Sequence, residues 1–150
     1  MWNSMRSVGL SIFCTRLVIA LVLVCAVLLP QIIKGYIAFY QIPPPTEPLT
    51  TLMVILYSCC IPAMIALFSL DRLLVNIKKE RVFIAKNVRL LRLISWCCFT
   101  AAAILACALP YYLFSIVMAI VLAFIGLLVR VVKNVIDAAV ILKDEHDYTI

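Results

Sequence analysis

The chain has 150 residues, of which 67% are hydrophobic and 13% charged, against about 45–50% apolar and about 25% charged residues in soluble domains. A soluble domain of this size could not bury so much apolar surface, and the composition also excludes a disordered chain, collagen and a small disulfide-stapled module. Thirteen Lys and Arg against seven Asp and Glu give a formal net charge of +6. These values together indicate an integral membrane protein.

Uncharged stretches predict four membrane-spanning helices. The third stretch, 93–129, is too long for one crossing, which takes about 20 apolar residues. A tight hairpin is expected at Leu109-Pro110-Tyr111-Tyr112, because proline removes a backbone donor and tyrosine favours the membrane–water interface. The prediction is an all-α, single-domain, four-helix membrane bundle over residues 1–150, with spans at about 17–38, 49–70, 93–110 and 112–130.

Positive charge is concentrated on one side of the predicted membrane. The segment 71–92 carries seven Lys and Arg, whereas the opposite side has only Lys34 and Glu47. Because Lys and Arg are enriched in cytoplasmic loops, both termini and 71–92 are predicted to face the cytoplasm. The net charge is therefore a sign of membrane topology, and no direct contact with nucleic acid is expected.

The segment 71–92 is predicted to be structured, since it lacks both glycine and proline. Leu70, Leu73, Leu74 and Ile77 recur at helical spacing, which extends the second helix into the cytosol and predicts two helical arms joined near Val82-Phe83. Two interpretations stay open: this segment anchors the protein to lipid headgroups, with Phe83 dipping into the interface, or it binds a soluble partner. The candidate contact residues in this segment are Arg72, Lys78, Lys79, Arg81, Phe83, Lys86, Arg89 and Arg92.

The tail, 131–150, is predicted to continue the fourth helix into the cytosol. Val132, Val135, Ala139 and Leu142 fall near one face, and Lys133 and Asp137 are spaced so that they can pair. Acidic residues at a helix C-terminus oppose its dipole, so the end is expected to fray. The candidate partner contacts in the tail are Asp144, Glu145 and Asp147.

The sequence predicts neither catalysis nor a bound cofactor or metal. The seven cysteines form no CxxC pair, and the predicted spans contain no histidine and no carboxylate. Without a carboxylate or histidine in the membrane, proton-coupled transport is disfavoured. The small residues are instead expected to pack helices together, in seams formed by Cys98, Ala102 and Ala106 on the third helix and by Ser115, Ala119, Ala123 and Gly126 on the fourth.

Several short patterns resemble a family of small bacterial four-helix membrane proteins of unknown function. They are Val82-Phe83, Asn87-Val88, Leu91-Arg92 and Arg130-Val-Val-Lys-Asn134, and the likeness extends over essentially the whole chain. The family often has a glycine near the position of Glu80. The resemblance implies a multi-pass protein of the bacterial inner membrane, commonly encoded beside a small helix-turn-helix transcription regulator. It implies no enzymatic activity and no ligand.

The expected function is that of a non-enzymatic regulatory or interaction protein. Its cytoplasmic loop and tail would bind a soluble partner, and a regulator with a basic DNA-binding face would dock on the acidic tail. Two alternatives stay open: an immunity or resistance protein against membrane-active peptides, and a small transporter or pore. The sequence leaves the oligomeric state open.

Overall fold

The computed structural model describes residues 2–40, 47–108 and 113–149, and within them it contains four helices and no strand. The helices are α1 (Trp2–Tyr40), α2 (Glu47–Lys78), α3 (Ala85–Cys107) and α4 (Phe114–Tyr148). Each is long and apolar enough to cross a membrane. The structure thus confirms the predicted all-α architecture of four candidate spans. The predicted hairpin at 109–112 lies outside the described residues.

The helices pack against one another in chain order, so α2 and α3 each have two neighbouring helices. In the described part of the chain, α1 packs on α2, α2 on α3, and α3 on α4. Only 6% of the most apolar stretch of α1 and of α2 is buried, against 28% for α3. The broad apolar surface left exposed suits helices that are surrounded by lipid rather than by water.

An apolar cluster holds α2, α3 and α4 together near the α2–α3 connection. Leu73 of α2 and Leu91 and Ile94 of α3 are buried in it, and Val129 and Ile136 of α4 pack against them. The helical spacing of Leu70, Leu73 and Ile77 correctly predicted that α2 continues to Lys78, because all three side chains belong to this cluster.

Small residues bring α3 and α4 into close contact, as their spacing predicted. Gly126 is buried, and a Cβ atom added to it would lie 3.1 Å from the Cβ atom of Cys98. The Ser95 hydroxyl donates a hydrogen bond to the Gly126 carbonyl at 2.9 Å. Of the other predicted seam residues, Ala102, Ser115 and Ala119 are buried, Ala123 is half-buried and Ala106 is exposed. The seam therefore forms without Ala106.

The fourth helix continues into the tail, as predicted, and ends at Tyr148. The Thr149 hydroxyl donates a hydrogen bond to the Glu145 carbonyl, which satisfies one of the carbonyls that a helix end leaves without a partner. Fraying of this end stays a prediction. The expected pairing of Lys133 with Asp137 was wrong: the two residues form no ion pair, and Lys133 instead lines a small pocket against α3.

Candidate functional site: the basic end of the helices

Contacts between neighbouring helices place four charged residues at one level. Arg16 Nε donates a hydrogen bond to Asp71 Oδ1 at 3.0 Å, which aligns α1 with α2. The Asn76–Asn87 hydrogen bond aligns α2 with α3. Asp71 lies five residues before Asn76 and Arg92 lies five residues after Asn87, so these two residues are level on the antiparallel helices. Arg92 and Arg130 line the same pocket, which aligns α3 with α4. We call these four residues the charged ring.

The charged ring divides the apolar spans from what we call the basic end, which comprises 72–92 and 131–149. Beyond the ring, α2 has seven more residues and α4 has 18, which extend about 10 Å and about 27 Å at 1.5 Å per residue. Charged side chains at the ring mark the level at which a helix leaves the hydrocarbon, because a charge deeper in the bilayer is costly. The basic end therefore projects out of the membrane.

The turn from α2 to α3 has the hydrogen bonds of a Schellman motif. The Arg81 amide donates to the Asn76 carbonyl at 3.1 Å and the Glu80 amide to the Ile77 carbonyl at 3.0 Å. Glu80 has a φ of 59°, in the left-handed region that glycine usually occupies in this motif. Glu80 thus adopts the conformation that ends α2, although its Cβ atom disfavours that conformation.

A buried amide network fixes the same turn to α3. Asn87 is only 1% exposed, and its Nδ2 atom donates to the carbonyls of Arg81 and Val82, both at 2.8 Å. Its Oδ1 atom accepts a hydrogen bond from Asn76 Nδ2, also at 2.8 Å. One side chain therefore joins the end of α2, the turn and the start of α3, which makes the predicted two-armed loop a defined structure.

The basic side chains predicted as contacts all lie on the surface of this end. Phe83 is 48% exposed at the tip of the turn. None of the basic side chains forms an ion pair with a residue that the structure describes. The exposed group consists of Arg72, Lys78, Lys79, Arg81, Lys86, Arg89 and Arg92.

The acidic residues of the tail form a separate surface. Asp144, Glu145 and Asp147 are all exposed on the last two turns of α4. Ser95 is level with Gly126, and α3 begins ten residues before Ser95, so its first residue is level with position 136 of α4. Asp144 lies eight residues beyond that position, which is about 12 Å further from the membrane than the start of α3. The structure thus gives two surfaces of opposite charge, a basic turn and an acidic helix end.

The pocket that includes Lys133 lies between α3 and α4 at the charged ring. Its volume is about 60 Å³, and its lining residues are Arg92, Ser95, Trp96, Arg130 and Lys133. Of these, only Arg92 was identified as a contact residue from the sequence. The other signal present in the sequence is the position of Arg130 directly after the third uncharged stretch, 93–129. The pairing of the two arginines follows from helix packing.

A second cavity of about 550 Å³ lies within the apolar part of the fold, over α3 and between α2 and α4. It has no charged residue in its lining, and Cys59, Cys97 and Cys98 contribute to its wall. All seven cysteines, which lie in the described ranges, are free. Among the residues that the structure describes, no group of three or more His, Cys, Asp or Glu is placed to hold a metal ion.

Four apolar helices with a charged ring and a projecting basic end define a multi-pass membrane protein. The chain belongs to the family described as protein of unknown function DUF2975, whose model matches residues 9–150. The match covers α1 from residue 9, the other three helices and both surfaces of the basic end. No curated protein and no solved structure matches the chain.

Proposed function

We propose that the protein is a non-enzymatic regulatory membrane protein that binds a soluble partner at its basic end. The observation that carries the proposal is an apolar face of α4 that continues beyond the charged ring without being covered. Val132, Val135 and Leu142 lie on this face and are 48%, 65% and 61% exposed. Beyond the ring the surroundings are aqueous, where exposed apolar patches commonly mark an interaction site.

The uncovered face is distinct from the face that holds α4 in the fold. Val129, Ile136 and Val140 point toward the rest of the protein and are buried or half-buried. At 100° per residue, Val135 and Leu142 lie about 100–160° around the helix from these three residues, and Val132 lies at the boundary between the two sides. Internal packing therefore uses one side of α4 and leaves the other for a partner.

The partner that this surface favours is a soluble protein with an apolar patch next to basic residues. Asp144, Glu145 and Asp147 follow the apolar face at the free end of α4, and opposite charge around an apolar contact steers association and selects the partner. A small helix-turn-helix regulator, with a basic DNA-binding face, has these properties. Binding to the tail would hold such a regulator at the membrane and away from DNA.

The orientation is part of the proposal. The Lys and Arg of the basic end outnumber those of the opposite end, and the positive-inside rule then places the basic end in the cytoplasm. We further propose the inner membrane of a bacterium as the location, which the family resemblance favours. A cytoplasmic partner would then meet both the α2–α3 turn and the tail.

Photocrosslinking in the native host tests the proposal. A photoreactive amino acid at Val135 or at His146 should capture the same soluble protein, whereas one at Phe124, an exposed residue within the apolar span, should capture none. Replacing Asp144, Glu145 and Asp147 by lysine should abolish capture at His146 while the chain stays in the membrane. If Val135 and His146 capture only lipid or other copies of this chain, the proposed function is wrong.

A further inference from the structure

The pocket between α3 and α4 brings together three cations that have no counter-ion among the described residues. Arg92, Arg130 and Lys133 all line it, and none forms an ion pair with any residue that the structure describes. Three positive side chains around one small cavity repel one another unless an anion lies between them. Their convergence from two neighbouring helices is therefore an unbalanced charge cluster, and it lies outside the proposed partner surface.

The polar groups of this pocket suit an anion rather than a cation or a neutral ligand. Arg and Lys side chains only donate hydrogen bonds, and the Ser95 hydroxyl already donates its hydrogen to the Gly126 carbonyl. A volume of about 60 Å³ is that of about two water molecules at roughly 30 Å³ each, a size that suits a single phosphate group.

The position of the pocket defines the rest of the ligand. Arg92 and Arg130 belong to the charged ring, where helices leave the hydrocarbon. On the membrane side of the ring, Trp96 lies one turn from Arg92 and Leu127 lies one turn from Arg130, and these side chains are 58% and 53% exposed. An anion held by the arginines would thus be continuous with an apolar surface below it, and tryptophan is typical of this interfacial depth.

We propose that this pocket binds the phosphate of an anionic phospholipid, with the acyl chains lying along Trp96 and Leu127. Binding at this site would require both the negative charge of the headgroup and acyl chains that lie in the membrane. Phosphatidylcholine, which is zwitterionic, carries the same phosphate next to a trimethylammonium group, which the three cations repel. Basic pockets between membrane helices on the cytoplasmic side are a known mode of binding for anionic headgroups.

Fluorescence quenching of Trp96 measures this binding directly. Trp2→Phe leaves Trp96 as the only tryptophan, and the full-length protein is reconstituted in phosphatidylcholine vesicles containing a minor fraction of brominated lipid. Bromine on phosphatidylglycerol should quench Trp96 at a lipid fraction lower by tenfold or more than bromine on phosphatidylcholine, because three basic residues at about 1 kcal/mol each exceed the about 1.4 kcal/mol that corresponds to tenfold. Equal quenching by the two lipids would overturn the proposal.

Two matched variants separate the pocket from general positive charge. Arg92→Gln, Arg130→Gln and Lys133→Gln together should bring the two lipids to equal quenching. Lys78→Gln, Lys79→Gln and Arg81→Gln remove the same charge from exposed positions outside the pocket and should retain most of the preference. If both triple variants lose the preference equally, charge alone explains it and the site does not exist.

Single substitutions and a soluble competitor complete the test. Arg130→Gln alone should lower the preference only in part, and because its side chain is exposed it should leave the fold intact. Inorganic phosphate at constant ionic strength should not reverse quenching by phosphatidylglycerol. Full reversal by phosphate would show that the pocket takes a free anion, and would overturn the assignment to lipid.

Discussion

The Tyr57 hydroxyl of α2 donates a hydrogen bond at 2.9 Å to the Ala26 carbonyl of α1. In a continuous helix the amide four residues later would donate to this carbonyl, but that residue is Pro30, which has no N–H. Tyr57 therefore supplies the donor that the α1 backbone lacks. A lipid-facing carbonyl without any partner is costly, so this contact both satisfies α1 and attaches it to α2.

Removing the Tyr57 hydroxyl should destabilise the protein only while Pro30 is present. We expect Tyr57→Phe to lower the free energy of unfolding by about 1 kcal/mol, because the Ala26 carbonyl is left unpaired. In a Pro30→Ala background the backbone amide can serve that carbonyl, so the same substitution should cost much less. Thermal unfolding of the four variants in detergent gives the coupling between the two positions. An equal cost of Tyr57→Phe in both backgrounds would contradict this account.

Asn87 should be the most sensitive polar residue of the α2–α3 turn. Asn87→Ala leaves the Arg81 and Val82 carbonyls and the Asn76 amide without their partner, which should cost about 2–3 kcal/mol. Asn76→Ala removes only one of these hydrogen bonds and should cost about 1 kcal/mol. Hydrogen exchange should show faster opening of 79–88 in the Asn87 variant. Equal unfolding free energies for the two variants would mean that the network does not hold the turn.

The elements were predictable where local spacing determines them. Leu70, Leu73 and Ile77 lie three and four residues apart, so the extension of α2 could be seen in the sequence before the cluster that buries them was known. The two small-residue seams were visible for the same reason. Ala106 was included wrongly because equal spacing on one helix does not show where the neighbouring helix stops covering it.

The parts of the basic end that depend on long-range contacts could not be predicted. Asn76 and Asn87 meet only because the turn between them has one definite geometry. Lys133 was expected to pair with Asp137 along its own helix, but α3 packs beside it and places Lys133 in the pocket with Arg92 and Arg130. The alignment of α3 with α4 decides whether Lys133 pairs with Asp137 or lines the pocket, and no single segment of the sequence encodes that alignment.

Gly126 should tolerate no side chain, in contrast to Gly35. A Cβ atom at Gly126 would lie 3.1 Å from the Cys98 Cβ atom, whereas one at Gly35 would meet nothing within 4 Å. The Cys98 Cβ atom is fixed to the α3 backbone, so the helices must separate slightly. Overpacking costs about 1–3 kcal/mol and alanine's better helix propensity returns at most about 1 kcal/mol. We expect Gly126→Ala to lower the unfolding temperature in detergent and Gly35→Ala to leave it unchanged or raised; the reverse order would show that α3 and α4 do not pack through this contact.

Glu80→Gly should stabilise the protein. The left-handed conformation costs a residue with a Cβ atom about 1–2 kcal/mol, and glycine adopts it without that cost. Part of the gain is lost to the greater freedom of glycine in the unfolded chain, so we expect a net increase of about 0.5–1 kcal/mol in the free energy of unfolding. Lys79→Gly is the control, because Lys79 precedes the left-handed position and should gain nothing from glycine. Thermal unfolding in the same detergent compares them. A lower unfolding temperature for Glu80→Gly would mean that the Glu80 side chain contributes more to this turn than its backbone conformation costs.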